Sequence, residues 1–113
     1  MRQISFFLTE PQFRAGTKDV TRRLGWKNLK PGDRLMGVRK SQGLKKGEHP
    51  VELGEIEVVS VRDEPLWEIS EDDVRREGFY LMTPEDFVAM FCKHMKCEPD
   101  DHVTRIEFRR LHA

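Results

Sequence analysis

The sequence predicts a single α+β domain, and three observations carry that reading. Segments with strand character at residues 4–8, 34–39, 51–61 and 103–109 alternate with segments that carry helix start signals at Thr9, Ser70 and Thr83. The 113 residues suffice for one core and are too few for two comfortable ones, so the domain is expected to span residues 1–113. Seven Phe and two Trp supply large apolar surfaces to a chain that is 37% hydrophobic and 35% charged.

Residues 4–8 read as a short strand. Thr9-Glu-Pro-Gln12 then offers a helix start, with Thr9 as cap, Pro11 in the first turn and Gln12 reaching back to close a capping box. That helix has about two turns at most. Gly16 follows where a left-handed residue is wanted to end it. Residues 18–23 favour a strand through Val20 and Thr21, yet residues three apart on a regular strand face opposite ways. Joint action of Lys18 and Thr21 therefore requires a bulge or a turn.

Residues 24–29 make a compact turn, and Lys30-Pro-Gly-Asp33 is a type II turn signal, with Pro31 fixing φ and Gly32 taking the positive φ. A strand at 34–39 follows, then a Gly- and charge-rich loop at 41–50 that is expected to be mobile. In the longest strand, 51–61, Ile56, Val58 and Ser60 share one parity and Glu55, Glu57, Val59 and Val61 the other. Apolar residues on both parities at its far end predict a bent strand buried on both sides there. Residues 70–78 read as a two-turn helix capped by Ser70, with acids first, arginines last and Gly78 closing it, which puts Glu77 on the final turn. Thr83-Pro84 starts another helix with Phe87, Val88, Phe91 and Met95 on one stripe. Residues 98–101 break it, and 103–109 alternate as a closing strand.

No run approaches the roughly 20 apolar residues of a membrane helix, and the opening apolar segment is too short for a signal peptide. No membrane association is expected, and the location is read as cytoplasmic. Cys92 and Cys97 fall close together, unlike a secreted disulfide framework, and are expected to be reduced thiols. A zinc reading of Cys92, His94, Cys97 and His102 founders on spacing, because residues two apart on a helix diverge by about 200°. No metal or other cofactor is expected, and Cys92 reads as a small apolar residue beside the Phe87 stripe.

Formal net charge is zero, but it is segregated: residues 14–46 hold eleven Lys or Arg against Asp19 and Asp33, while residues 47–113 hold seventeen acids against eight bases. A basic face suited to phosphate follows if the segregation survives folding. Otherwise the surface is an ordinary mixed one.

Residues 14–23, Arg-Ala-Gly-Thr-Lys-Asp-Val-Thr-Arg-Arg, hold too much polar chemistry for a core strand. Gly16, Lys18, Thr21, Arg22 and Arg23 resemble the signature segment of the ASCH family of small PUA-like domains, and the likeness continues through residues 30–35, 55–58 and 77–79. The resemblance implies a PUA-like mixed β-barrel of about five or six strands, with two or three flanking helices. It also implies a cleft where residues 16–23 meet Glu77. In ASCH amidohydrolases of acetylated cytidine the corresponding residues are a nucleophile, its base and an acid/base, which carries over to Thr21, Lys18 and Glu77. Arg22 departs from the apolar residue expected between Thr21 and Arg23.

The chemistry is sound on its own terms. A desolvated lysine near other cations has a lowered pKa and can take a proton from a threonine hydroxyl, and a glutamate can serve the leaving group. The same residues also suit binding without turnover, with Lys18 and Arg23 on phosphate, Thr21 on a base or sugar, Glu77 paired with an arginine, and Arg22 among the residues that bind substrate or nucleic acid. Trp26 and Phe79 either stack on a base or belong to the core, and Arg39 and Lys40 either follow a nucleic-acid backbone or decorate a solvated loop. A ribonuclease using Lys18 and Arg23 on a phosphorane lacks a supporting histidine pair. The expected partner is a nucleoside or single-stranded RNA, with protein partners through the acidic half as a third reading.

Overall fold

The computed structural model describes residues 1–41 and 43–111. Its centre is a pair of long antiparallel strands, β4 (Glu52–Pro65) and β5 (His102–Arg110), with Ile56, Val58, Ile106 and Phe108 facing one core. The shorter strands β1 (Gln3–Ser5), β2 (Val20–Arg23) and β3 (Arg34–Val38) complete one five-stranded mixed sheet among the described residues, in the order β1-β3-β4-β5-β2. Among the described strands only β1 and β3 pair in parallel.

Helix α1 (Glu10–Ala15) seats Phe13 against the sheet at a point where no side chain intervenes. Gly37 on β3 is in register with Gly54 on β4, and a Cβ on Gly37 would lie 3.1 Å from the rings of both Phe6 and Phe13. Two bare positions thus let Phe6 and Phe13 stack, 4.6 Å between centroids, with Phe108 beside them. A second core lies between the sheet's far end and helices α2 (Glu71–Arg76) and α3 (Pro84–Met95), and it holds Leu66, Ile69, Val74, Phe87, Phe91 and Val103.

Most local signals are realised. Gly16 ends α1 at φ 76°, Asp33 N–H closes the type II turn on Lys30 O at 3.0 Å, and Ser70 accepts from Asp73 N–H at 3.0 Å. Thr83 and Asp86 form a reciprocal capping box on α3, whose Phe87 and Phe91 are buried while Met95 is 40% exposed.

Four details differ from the sequence reading. Strand β1 stops at Ser5, because Thr9 N–H bonds back to Phe6 O and turns the chain, leaving Phe7 and Leu8 exposed. Thr9 caps α1 only by position, with no side-chain bond. β4 runs four residues further than expected, and its far end is bulged between Val58 and Ser60, so Val59 is exposed and Val61 returns to the core side. The bulge switches parity, and that accounts for apolar residues on both.

Finally, the hydrogen-bonded ladder does not close into a barrel, for β1 and β2 remain its two edges. One side chain spans them: Arg23 on β2 donates through Nη2 to the backbone oxygen of Ser5 on β1, at 2.6 Å.

Candidate functional site

The open seam between β1 and β2 is where the signature residues collect. Gly16 turns the chain out of α1, and Asp19 is then held by its backbone on two sides, its N–H bonding Arg76 O and its carbonyl accepting from Phe108 N–H, each at 3.0 Å. Lys18 consequently stands two residues before β2 begins, outside the regular strand. The expected conflict between Lys18 and Thr21 is resolved in this way: both side chains line one cleft of about 770 Å³. That volume is ordinary for a small-molecule site.

Glu77 reaches the cleft from the C-terminal cap of α2. A carboxylate there is disfavoured by the helix dipole, so its surroundings must compensate. Lys18 Nζ donates to Glu77 Oε1 at 2.7 Å and to the Glu77 carbonyl at 3.0 Å, which also satisfies an orphan carbonyl of the helix end. Arg22 Nη1 donates to Glu77 Oε2 at 3.2 Å. Burial pushes the Lys18 ammonium below the usual lysine range, while the charge of Glu77 pulls it back and those of Arg23 and Arg22 add to the fall.

Arg22, the departure from the expected apolar residue, has an explanation in three carboxylates. Its fully buried guanidinium meets Glu64 of β4 at 3.0 Å and Asp73 of α2 at 2.5 Å, besides Glu77. Arg105, its cross-strand neighbour on β5, donates to the same Asp73 Oδ2 through Nε at 2.6 Å and to Oδ1 through Nη2 at 3.1 Å. Burial raises the Asp73 pKa, but the bonds from Arg105 and Arg22 outweigh it and hold the carboxyl well below the usual range. This network fastens α2, and Glu77 with it, to three strands. Arg22 Nε is left without a partner.

Arg23 differs from the other buried cations. Its Nε donates to Thr21 Oγ1 at 3.2 Å and its Nη2 to Ser5 O, both neutral acceptors, and it makes no ion pair among the described residues. Its guanidinium lies 5.3 Å from the Phe6 ring centroid. Burial lowers its pKa to about 10, with Glu77 opposing. A desolvated cation with donors to spare suits a developing oxyanion or an anionic group.

Trp26, Phe79 and Lys40 also line the cleft. Trp26 takes a left-handed φ of 58°, sparsely populated for a bulky residue, and Arg2 stacks over its indole at 3.9 Å. Phe79 packs on Phe87, so it belongs to the second core as well as to the cleft wall. Arg39 stands apart, forked onto Glu10 at 2.8 and 3.2 Å on the surface. Sequence reading missed Glu64, Asp73 and Arg105, although Arg105 shares the parity of the buried Val103 and so could have been placed inward. Cys92 packs against the second core, with its Sγ 3.9 Å from that of Cys97.

An open mixed sheet with α1 across one side and α2 and α3 at one end, enclosing a polar cleft at its unclosed seam, is a PUA-like α+β architecture. No protein family and no curated protein matches the sequence. Among solved structures, the chain is similar to an ASCH domain of Lactobacillus crispatus JV V101, with TM-score 0.54 and 18% identity over 91% of this chain and 70% of that one. It is also similar to a DUF984 protein of Enterococcus faecalis V583, with TM-score 0.67 and 17% identity over 92% of this chain and 70% of that one. A third likeness is to hypothetical protein PH0355, with TM-score 0.65 and 20% identity over 92% of both chains. The chain has the fold of an ASCH domain.

Proposed function

We propose that this ASCH-type domain takes a nucleoside, free or in single-stranded RNA, into the seam cleft and hydrolyses an exocyclic amide of the N4-acetylcytidine kind. The observation that carries the reading is the desolvated Lys18–Glu77 pair, 2.7 Å apart, opening into the same cleft as the Thr21 hydroxyl.

Burial lowers the Lys18 pKa, so its free amine is reached more readily than an ordinary lysine's and can serve as a base. Glu77, which accepts a hydrogen bond from Lys18 Nζ, is placed to carry the proton onward. Thr21 Oγ1 accepts from Arg23 and keeps its own proton to give. As Oγ1 attacks the amide carbon, Lys18 takes that proton, Arg23 steadies the oxyanion, and the same proton is relayed through Glu77 to the departing amine nitrogen. Once the amine has left, water cleaves the acyl-threonine: Lys18 takes a proton from the water, the hydroxide attacks the acyl carbon, and the proton returns to Thr21 Oγ1 as the carboxylic acid is released.

A second reading, binding without turnover, is favoured by a specific feature. Lys18 already commits two donors to Glu77, an arrangement that also serves simply to hold α2 in place. Acetate release from N4-acetylcytidine separates the two. Lys18→Ala abolishes it if the site is hydrolytic; if the site only binds, wild type releases no acetate and the variant weakens a salt-sensitive RNA affinity.

A further inference from the structure

The cleft lining combines the polar Lys18, Thr21, Arg23 and Glu77 with a run of apolar side chains, into which His94 of α3 also projects, and with Lys40 and Ser41. Beyond Lys18, Thr21, Arg23 and Glu77, its wall becomes an apolar strip that starts two residues after Glu77 and runs along α3. Phe79 lies 5.9 Å from Phe87 and Phe87 lies 6.1 Å from Phe91, with Met90 and Met95 continuing the lining. The turn after β1 also contributes Phe7 and Leu8 to the lining. These two residues follow Ser5, whose carbonyl holds Arg23, so the apolar end abuts the proposed reacting centre. Phe7 is 64% exposed, Leu8 48% and Met95 40%. Two elements far apart in sequence thus present uncovered apolar side chains to one cleft that already contains a polar head-group site. Apolar surface so placed marks a ligand-binding groove.

We infer that this strip is an acyl-group subsite, selecting amides whose acyl chain is larger and more apolar than acetyl. The inference rests on the amide reading above and names the substrate class of that site. The occupant is the substrate's own acyl chain, because the strip is continuous with the residues that would hold the amide and is apolar along Phe79, Phe87, Met90, Phe91 and Met95, with His94 the one titratable side chain that α3 adds to the lining. Each methylene moved from water onto such a wall strengthens binding roughly fourfold.

Equilibrium binding of N4-acetyl-, N4-butanoyl- and N4-hexanoylcytidine to the Thr21→Ala protein, in which turnover is suppressed, tests the subsite. The same series read as kcat/KM on wild type covers the case in which that variant fails to fold. Expected is a Kd that falls about tenfold or more with each two-carbon extension, and a hexanoyl-to-acetyl ratio that collapses toward one in Leu8→Ser and Met95→Ser, both surface changes. Affinity that rises with chain length and depends on Leu8 and Met95, with no amide cleaved by wild type, sinks the hydrolytic reading and upholds the subsite. Turnover with chain-length-independent affinity does the reverse. A series that does not bind at all, or a length dependence that survives both serine variants, overturns the subsite.

Discussion

Lys18 Nζ sits 2.7 Å from Glu77 Oε1 with both side chains almost fully buried, 2% and 4% exposed. Burial lowers the pKa of the Lys18 ammonium, and the Glu77 charge beside it opposes that fall. The lowered Lys18 pKa means that the free amine is reached at lower pH than for an ordinary lysine. Removing the Glu77 charge takes away the influence that raises it. The pH profile of kcat/KM is expected to rise on its acid side as Lys18 titrates. In Glu77→Gln that limb shifts to lower pH while the rate falls about 10²- to 10⁴-fold. Lys18→Arg, which cannot deprotonate, is inactive at every pH.

The network under the site makes a separate prediction. Asp73 takes hydrogen bonds from both Arg22 and Arg105, so Asp73→Ala leaves two buried guanidinium groups short of a partner. Breaking such a cluster costs about 3–5 kcal/mol. Urea unfolding is expected to show a loss of that size, whereas Arg39→Ala, which removes an exposed pair with Glu10, is expected to fall within about 1 kcal/mol of wild type.

Acid should unfold the protein through the same residue. The folded Asp73 pKa is depressed, so the unfolded chain binds the proton more readily as pH falls. The contribution is present in full above the ordinary aspartate range near about 4, and is lost as pH drops from there toward the folded value. Stability measured by urea between neutral pH and pH 3 is expected to decline, with a shallower decline in Asp73→Asn.

Gly78, directly after Glu77, has φ 105°, and an added Cβ would lie 2.7 Å from Gln12 Cγ. Gly78→Ala is expected to lower stability by about 1–3 kcal/mol in thermal or urea unfolding. It should also depress turnover, because α1 and the Glu77 backbone must part to admit the methyl group.

The same contact explains one failure of the sequence reading. Gln12 has the spacing of a capping box with Thr9, but it packs over Gly78 instead, and its Oε1 is buried without a partner. A tertiary contact 66 positions away in the chain outweighs the local signal. Signals complete within a few residues, such as Pro31-Gly32, Ser70 and Thr83, were legible because nothing distant competes for them. The convergence of Lys18, Thr21 and Glu77 on one cleft was foreseen from the resemblance. The reason for a charged Arg22 was not, since Glu64, Asp73 and Glu77 come from 42, 51 and 55 residues further along. The early stop of β1 was equally hidden: Ile-Ser-Phe-Phe-Leu reads as strand throughout, yet the turn at Phe6–Thr9 releases Phe7 and Leu8 to the cleft.

The central claim is that Lys18, Thr21 and Glu77 act together on an amide. Its most direct measurement is acetate release from N4-acetylcytidine by wild type, Lys18→Ala, Thr21→Ala and Glu77→Gln, with folding checked by circular dichroism. The account predicts turnover by wild type and its loss, by about two orders of magnitude or more, in each folded variant. Turnover that persists in folded Thr21→Ala, or a folded wild type that releases no acetate, would contradict it.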